Sequence, residues 1–253
     1  MSLKAKLIKF RKKIRTNQSQ ISKAIIENHS ANLCIFCGLT SQLTREHVIP
    51  QWVYSHCTER TFITTINRTS QTYNKTTLPA CNDCNSNILG DLERTLKHEF
   101  EAIDIRKKSF SQESLELIIL WLETLEYKFQ VLDLRRTLNR VQGSPFIPYI
   151  ANMPISIFQG PLNTSPYKVF SNLRNSLRTL SKKSKLGRVN SLCILYTKNP
   201  DFHFFHSTNN FIFLELAKYN IAFFYFYKQT FSSPQDAQKA AQEIVEREYS
   251  SGS

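Results

Sequence analysis

The sequence predicts an α+β protein in which a small cysteine-clamped segment precedes a larger mixed α/β unit. Three observations point there. Two Cys-x-x-Cys pairs, Cys34/Cys37 and Cys81/Cys84, bracket a polar, threonine-rich stretch with little apolar periodicity. Between residues 113 and 139, apolar residues recur at steps of three and four, the pattern of a long helix. Beyond residue 190, four short runs rich in aromatic and β-branched residues read as strands. The expected division is a basic N-terminal helix over 1–30, the cysteine-bearing module over 31–110, and an α/β domain of unassigned role over 111–253.

The chain has 253 residues and 41% hydrophobic content, enough to bury a real core. Its 33 Lys and Arg outnumber 20 Asp and Glu, leaving a formal charge of +13 that favours a polyanionic partner, nucleic acid or an acidic membrane surface. No stretch is apolar enough to span a bilayer, since "FIFLELAKYNIAFFYFY" is broken by Glu215, Lys218 and Asn220. The basic N-terminus lacks the apolar run of a signal peptide, so a cytoplasmic location and mostly reduced cysteines are expected.

Along the chain, residues 3–29 read as a helix with Leu3, Leu7, Phe10, Ile14, Ile21 and Ile25 on a loose stripe and many bases elsewhere. Those bases form either a solvated face or a phosphate-contacting arm. The segment after Asn85 turns helical, with Leu89, Leu92, Leu96 and Phe100 along one side. In the helix over 113–139, Leu115, Ile118, Leu122, Leu125, Phe129 and Leu132 form a seam. Leu117, Ile119, Leu120 and Trp121 add apolar surface off it, favouring an internal core helix over a coiled-coil dimer. Five of the nine prolines fall between 143 and 166, a stretch of irregular connection. Residues 168–188 then carry seven bases and no acid. "SLCILYTK", "DFHFFHS", "FIFLELAK" and "IAFFYFYK" are the strands, with a tight turn at Lys218-Tyr219-Asn220 between the last two. A closing helix starts from Ser233 as N-cap and Pro234 at its first position.

Two Cys-x-x-Cys knuckles let four thiolates converge on one tetrahedral Zn2+, a closed and therefore structural site. Two disulfides, disfavoured in a reducing compartment, or coincidental free thiols are the alternatives. Gly38, directly after the first knuckle, suits a left-handed turn. Cys57 and Cys193 are left as buried thiols, with His56-Cys57 as a weaker substitute pair of ligands. His203 and His206 make no metal pair, because an i, i+3 spacing on a strand sends them to opposite faces. The zinc frame gathers a carboxylate, an imidazole and an amide near one another: Glu46 and His47 lie on the loop between the knuckles, and Asn85 directly follows the last cysteine.

The order Cys-x-x-Cys, Glu46-His47-Val-Ile-Pro50, Cys-x-x-Cys-Asn85, then Gly90-x-Leu92-Glu93 resembles the HNH nucleases, the ββα-metal endonuclease group with a four-cysteine zinc site of the endonuclease VII type. The likeness covers about residues 31–100, and residues 111–253 resemble no known family. It implies a small zinc-stapled ββα-metal nuclease module that hydrolyses phosphodiester bonds in DNA, leaving a 5′-phosphate and a 3′-hydroxyl. His47 would be the general base, since an imidazole titrates close to neutral pH. Glu46 and Asn85 would hold a catalytic Mg2+ or Mn2+. Asn74, or else Asn67, would steady the histidine ring, Arg45 would contact phosphate, and Glu93 would be a helix-surface or packing residue. On charge alone, Lys12, Lys13, Arg15, Lys182, Lys183 and Lys185 are the expected nucleic-acid contacts.

The competing expectation is a non-catalytic zinc-ribbon protein that grips nucleic acid; such a protein has no need of an acid–imidazole pair between its knuckles. Residues 111–253 would serve as a specificity unit, a homodimer platform or a docking surface for a protein partner. A restriction or anti-phage setting is expected by analogy only.

Overall fold

The computed structural model describes residues 1–27, 32–55, 61–63, 70–72, 75–139, 146–147, 153–154, 166–200 and 202–250. His56, Cys57, Asn67 and Asn74 lie outside them, as does most of the proline-rich stretch. Helix α1 (Leu3–Glu27) buries Leu7, Phe10, Ile14, Ile21 and Ile25, the stripe its periodicity predicts. Part of its polar face is also committed. Lys6 pairs with Asp91, while Lys9 and Lys13 reach Asp83 at 3.4 and 2.7 Å.

Strand β1 (Leu43–His47) and the short helix α2 (Gln51–Tyr54) come next. Two three-residue strands, β2 (Thr61–Ile63) and β3 (Ser70–Thr72), pair with each other. Strand β4 (Thr77–Cys81) then returns antiparallel to β1, with Leu43 opposite Cys81 and His47 opposite Thr77. The chain leaves β4 through a wide π-helical turn, Asp83–Leu89, that runs directly into helix α3 (Gly90–Ala102). Gly90 caps that turn by donating its N–H to the Asn85 carbonyl, a five-residue step. Such widened turns recur at functional positions.

Helix α4 (Gln112–Asn139) is the axis of the molecule. From Ile118 to Leu132 every residue is buried, against other parts of this same chain, which makes it an internal core helix. Its buried polar side chains have partners on different elements. Glu123 accepts from Tyr225 Oη at 2.9 Å and pairs with Lys185, Glu126 meets His206, and Gln130 bonds Asn209 and Ser176. Buried charge is tolerated only in such paired form.

A two-strand ribbon, β5 (Phe146–Ile147) with β6 (Met153–Pro154), leads to helix α5 (Pro166–Leu180), which opens on proline and packs along α1. A 3₁₀ turn, Leu186–Ser191, enters strand β7 (Leu192–Tyr196). Strands β8 (His203–Ser207), β9 (Phe211–Leu216) and β10 (Ile221–Phe226) complete an antiparallel sheet in the order β7-β10-β9-β8. Between β9 and β10, Asn220 takes the left-handed conformation (φ 55°) that the predicted tight turn needs. Alternation sets the two faces. Ile221, Phe223 and Tyr225 join the core around α4, whereas Ala222, Phe224 and Phe226 meet Ala237 and Ala241 of the last helix, α6 (Pro234–Ser250). Ser233 caps α6, its hydroxyl accepting the Asp236 N–H at 3.2 Å.

The architecture is thus α+β. The main hydrophobic cluster draws residues from α1, the cysteine-bearing segment, α4 and the C-terminal sheet, and a second one lies between that sheet and α6. Among the described residues, no helix is long and apolar enough to cross a membrane.

Candidate metal centre and adjoining polar site

The four knuckle cysteines are brought together. Cys34, Cys37, Cys81 and Cys84 are all buried, and their Sγ atoms lie within 4.8 Å of one another. Local geometry explains the convergence. Gly38 adopts φ +78°, and its N–H returns to the Cys34 carbonyl at 2.8 Å, while the Cys34 N–H bonds the Leu39 carbonyl at 2.7 Å. Ile35 donates to the Pro79 carbonyl at 3.1 Å, tying the first knuckle to β4 just ahead of the second. Phe36 and the Tyr127 ring pack beside it, and the Tyr127 hydroxyl donates to the Ile35 carbonyl at 2.5 Å.

The Cys37 and Cys81 sulfurs are 3.6 Å apart, and these cysteines are free of disulfide. A tetrahedral zinc ion bound at about 2.3 Å to each sulfur sets S···S separations of about 3.8 Å. This thiol set therefore fits one structural metal ion and suits zinc. Its electrostatics agree. Contacts with Cys37 and Cys84 pull the Cys34 thiol down to about 2, while contact with Cys34 drives Cys37 up to about 12 and pushes Cys84 higher still. The crowd thus accommodates one thiolate by itself, and a cation is what would let its neighbours ionise too.

Beside this cluster, β1 and β4 form a strand pair that runs into the α3 helix. Asn85 stands at the start of the widened turn, and its Nδ2 donates to Thr44 Oγ1 at 2.8 Å. That hydroxyl in turn donates to the Ala80 carbonyl at 2.8 Å. Thr44 and Glu46 are two residues apart on β1 and so share a face; Asn85 is held against the same face as Glu46. His47 ends the strand half-buried, its Nε2 3.3 Å from Gln51 Nε2 on α2. Arg45 is exposed.

Glu46 is buried, and here the structure adds residues that the sequence did not single out. Lys128 of α4, 1% exposed, donates to Glu46 Oε1 at 2.6 Å and to the His47 carbonyl at 2.8 Å. Glu93 lies in the same pocket, accepting from Trp52 Nε1 at 3.2 Å. Burial raises the Glu93 carboxyl from its ordinary value of 4.5 to about 7, against the pull of Lys128 and with the help of Glu46. The available signal was Lys128 itself, a cation inside a run of apolar residues that a core helix cannot bury unpaired.

The raised Glu93 value has a consequence for stability. The folded state holds this proton more tightly than the unfolded chain, so stability falls as pH rises from about 4.5 to 7 and stays reduced above that window. Glu93→Gln, which cannot ionise, is expected to match wild type near pH ~4 and to exceed it by about 1–3 kcal/mol near pH ~8. Urea unfolding at the two pH values checks this; an equal difference at both removes Glu93 as the cause.

The expected nucleic-acid contacts divide. Lys12, Arg15, Lys182 and Lys183 are exposed, and Arg15 Nη2 reaches the Ser181 carbonyl at 3.4 Å, which places the two groups of bases side by side. Lys185 is corrected: it is buried at 1%, with its ammonium beside Glu123 and on the Thr179 carbonyl, so it presents no charge to a ligand. Lys13 is only partly exposed and is engaged by Asp83, which makes it a tie between α1 and the cysteine-bearing segment. His203 and His206 point to opposite faces of β8, His203 on Glu215 and His206 stacked on Phe129 against Glu126. No family model matches the chain, and no curated protein or solved structure matches it either.

Proposed function

We propose that the protein is an HNH-type, metal-dependent endonuclease that hydrolyses phosphodiester bonds in DNA. The observation that carries this reading is the Asn85–Thr44 hydrogen bond. It holds the amide that follows the last cysteine against the strand face that carries Glu46, one residue before His47 at the strand end. That the strand pair, the helix and the thiol cluster occur in this order supports reading Glu46, His47 and Asn85 as the acid, imidazole and amide expected of a ββα-metal module.

In this reading His47 takes a proton from the attacking water. The Glu46 carboxylate and the Asn85 amide oxygen are the hard donors for Mg2+ or Mn2+. When bound, such an ion neutralises charge on the phosphoryl group and assists the leaving oxygen. Arg45, exposed on β1, meets a flanking phosphate in this reading. The surface shared by α1 and the end of α5, with Lys12, Arg15, Lys182 and Lys183, follows the DNA backbone, and affinity there falls steeply with salt. A role in restriction or anti-phage defence fits such an enzyme by analogy.

One observation favours a second reading. Glu46 is already paired with Lys128, as a purely structural ion pair would be, and a zinc-stapled module that binds nucleic acid without cutting it would look the same at this point. Cleavage separates the two. Zinc-loaded protein incubated with plasmid and with single-stranded DNA is expected to cut when Mg2+ or Mn2+ is added and to bind without cutting when it is withheld. Binding with no cutting under any divalent ion selects the non-catalytic module.

A further inference from the structure

We propose that the cleft between the start of α1 and the start of α4 binds a nucleotide 5′-phosphate, with Arg11 as the anchor of the anion. The cleft holds about 400 Å3, within the ~300–1,000 Å3 of small-molecule sites. Neither the cysteine cluster nor Glu46, His47 and Asn85 lines it, and the inference does not depend on cleavage. Its α1 wall follows helical spacing. Leu3, Leu7 and Arg11 stand at i, i+4 and i+8 and share one face, with Lys4 exposed at the rim. Opposite are Leu117 of α4 and Lys183, on the turn after α5 that Arg15 ties to α1 through the Ser181 carbonyl. Three bases thus meet an apolar floor from two distant parts of the chain.

Arg11 is the group that asks for a ligand. It is half-buried, and its Nε is shut off from solvent with no hydrogen-bond partner among the described residues. Burial pulls the guanidinium below its usual pKa, against the opposing influence of Glu116 and Glu123. Both acids are committed elsewhere. Glu116 accepts from Ser184 Oγ and the Lys185 N–H, each at 3.3 Å, and Glu123 takes Tyr225 and Lys185. A buried donor without a partner calls for an explanation, and the planar fork of a guanidinium matches a phosphate. The remaining lining selects what the phosphate carries. A bare phosphate fills little of the space and is repelled by Glu113 and Glu116 at the α4 end. A nucleoside uses both features: its base covers the three leucines, and its hydroxyl and amino groups donate to the carboxylates. A free mononucleotide and the 5′ end of a strand share this chemistry, and Lys183 joins the cleft to the basic surface proposed for DNA.

Isothermal titration calorimetry on the full-length, zinc-loaded chain tests the site. AMP and adenosine form one pair of probes, and a trinucleotide with and without its 5′-phosphate forms the other. In at least one pair the phosphorylated probe is expected to bind about 10–100-fold more tightly, the worth of hydrogen bonds to a charged group. A preference confined to AMP assigns a free nucleotide; one confined to the trinucleotide assigns a strand end. Arg11→Met is expected to erase the preference while zinc content is kept and the urea midpoint does not fall, since it removes a half-buried charge without a partner. If Arg11→Met does not fold, Lys4→Gln with Lys183→Gln, both at exposed positions, carries the test, with binding of the phosphorylated probe weakened about tenfold. Equal affinity within both pairs, no binding of any probe, or an unchanged preference in a folded variant overturns the site. Plasmid cleavage is read separately, so that failure leaves the nuclease reading where it stands.

Discussion

Cys81→Ser is expected to abolish zinc binding and to unfold the segment built around the knuckles. Cys81 is both the last residue of β4 and one of four sulfurs within 4.8 Å of one another, so its loss leaves three ligands and an open side. Structural zinc sites contribute apparent binding energies on the order of 10–16 kcal/mol, comparable with the whole stability of a typical domain at about 5–15 kcal/mol. The knuckles also line the main core, with Ile35, Phe36 and Ala80 fully buried. The first knuckle meets β4 through a single backbone bond from Ile35 to Pro79, and β1 and β4 are only five residues each.

The damage should spread beyond the knuckles. Phe36 packs against Phe10 of α1 and Tyr127 of α4, so loosening the first knuckle removes a wall of the core shared with both helices. Zinc content by atomic emission and the urea midpoint of the full chain measure the outcome together. Loss of the metal with a fall of several kcal/mol in stability is expected; full zinc content with an unmoved midpoint would remove the cysteine cluster as the organising centre of the segment.

Much of the fold is legible in the sequence because its signals are local. Steps of three and four mark α1 and α4; Ser233 and Pro234 start α6; aromatic runs mark β7 to β10; Asn220 takes the turn between the last two. The cysteine spacing also carries one long-range fact, since four thiols that could share one ion bring residues 34–37 beside residues 81–84. What is not legible is which buried charge meets which. Glu123, Glu126 and Lys128 each need a partner, but the sequence alone does not say that these are Lys185, His206 and Glu46. The same blindness affects bases. Lys182, Lys183 and Lys185 look alike in a basic run, yet the turn after α5 sends the third inward to Glu123. Glu93 reads as an ordinary helix residue until α4 and Trp52 close over it.

His47→Ala is expected to lower the rate of DNA cleavage by about 10²–10⁴-fold, the usual worth of a positioned general base. The ring lies at the strand end, half-buried, with Gln51 as its contact, so its removal should change stability by no more than about 0.5 kcal/mol, in keeping with a surface substitution. Zinc stays, because no sulfur is touched. DNA affinity is expected to stay, because the proposed contacts are the bases of α1 and those that follow α5. The effect should therefore fall on the turnover of bound DNA rather than on how tightly it is held. This separation gives the variant its force. In a protein that only grips nucleic acid, binding by those bases is the whole function and His47 is a polar residue on a bend, so the variant behaves as wild type. In the enzyme, binding and cutting come apart at one side chain. Single-turnover cleavage and filter binding, run on the same preparation, decide between them, and a His47→Ala chain that cuts as fast as wild type ends the assignment of His47 as the base.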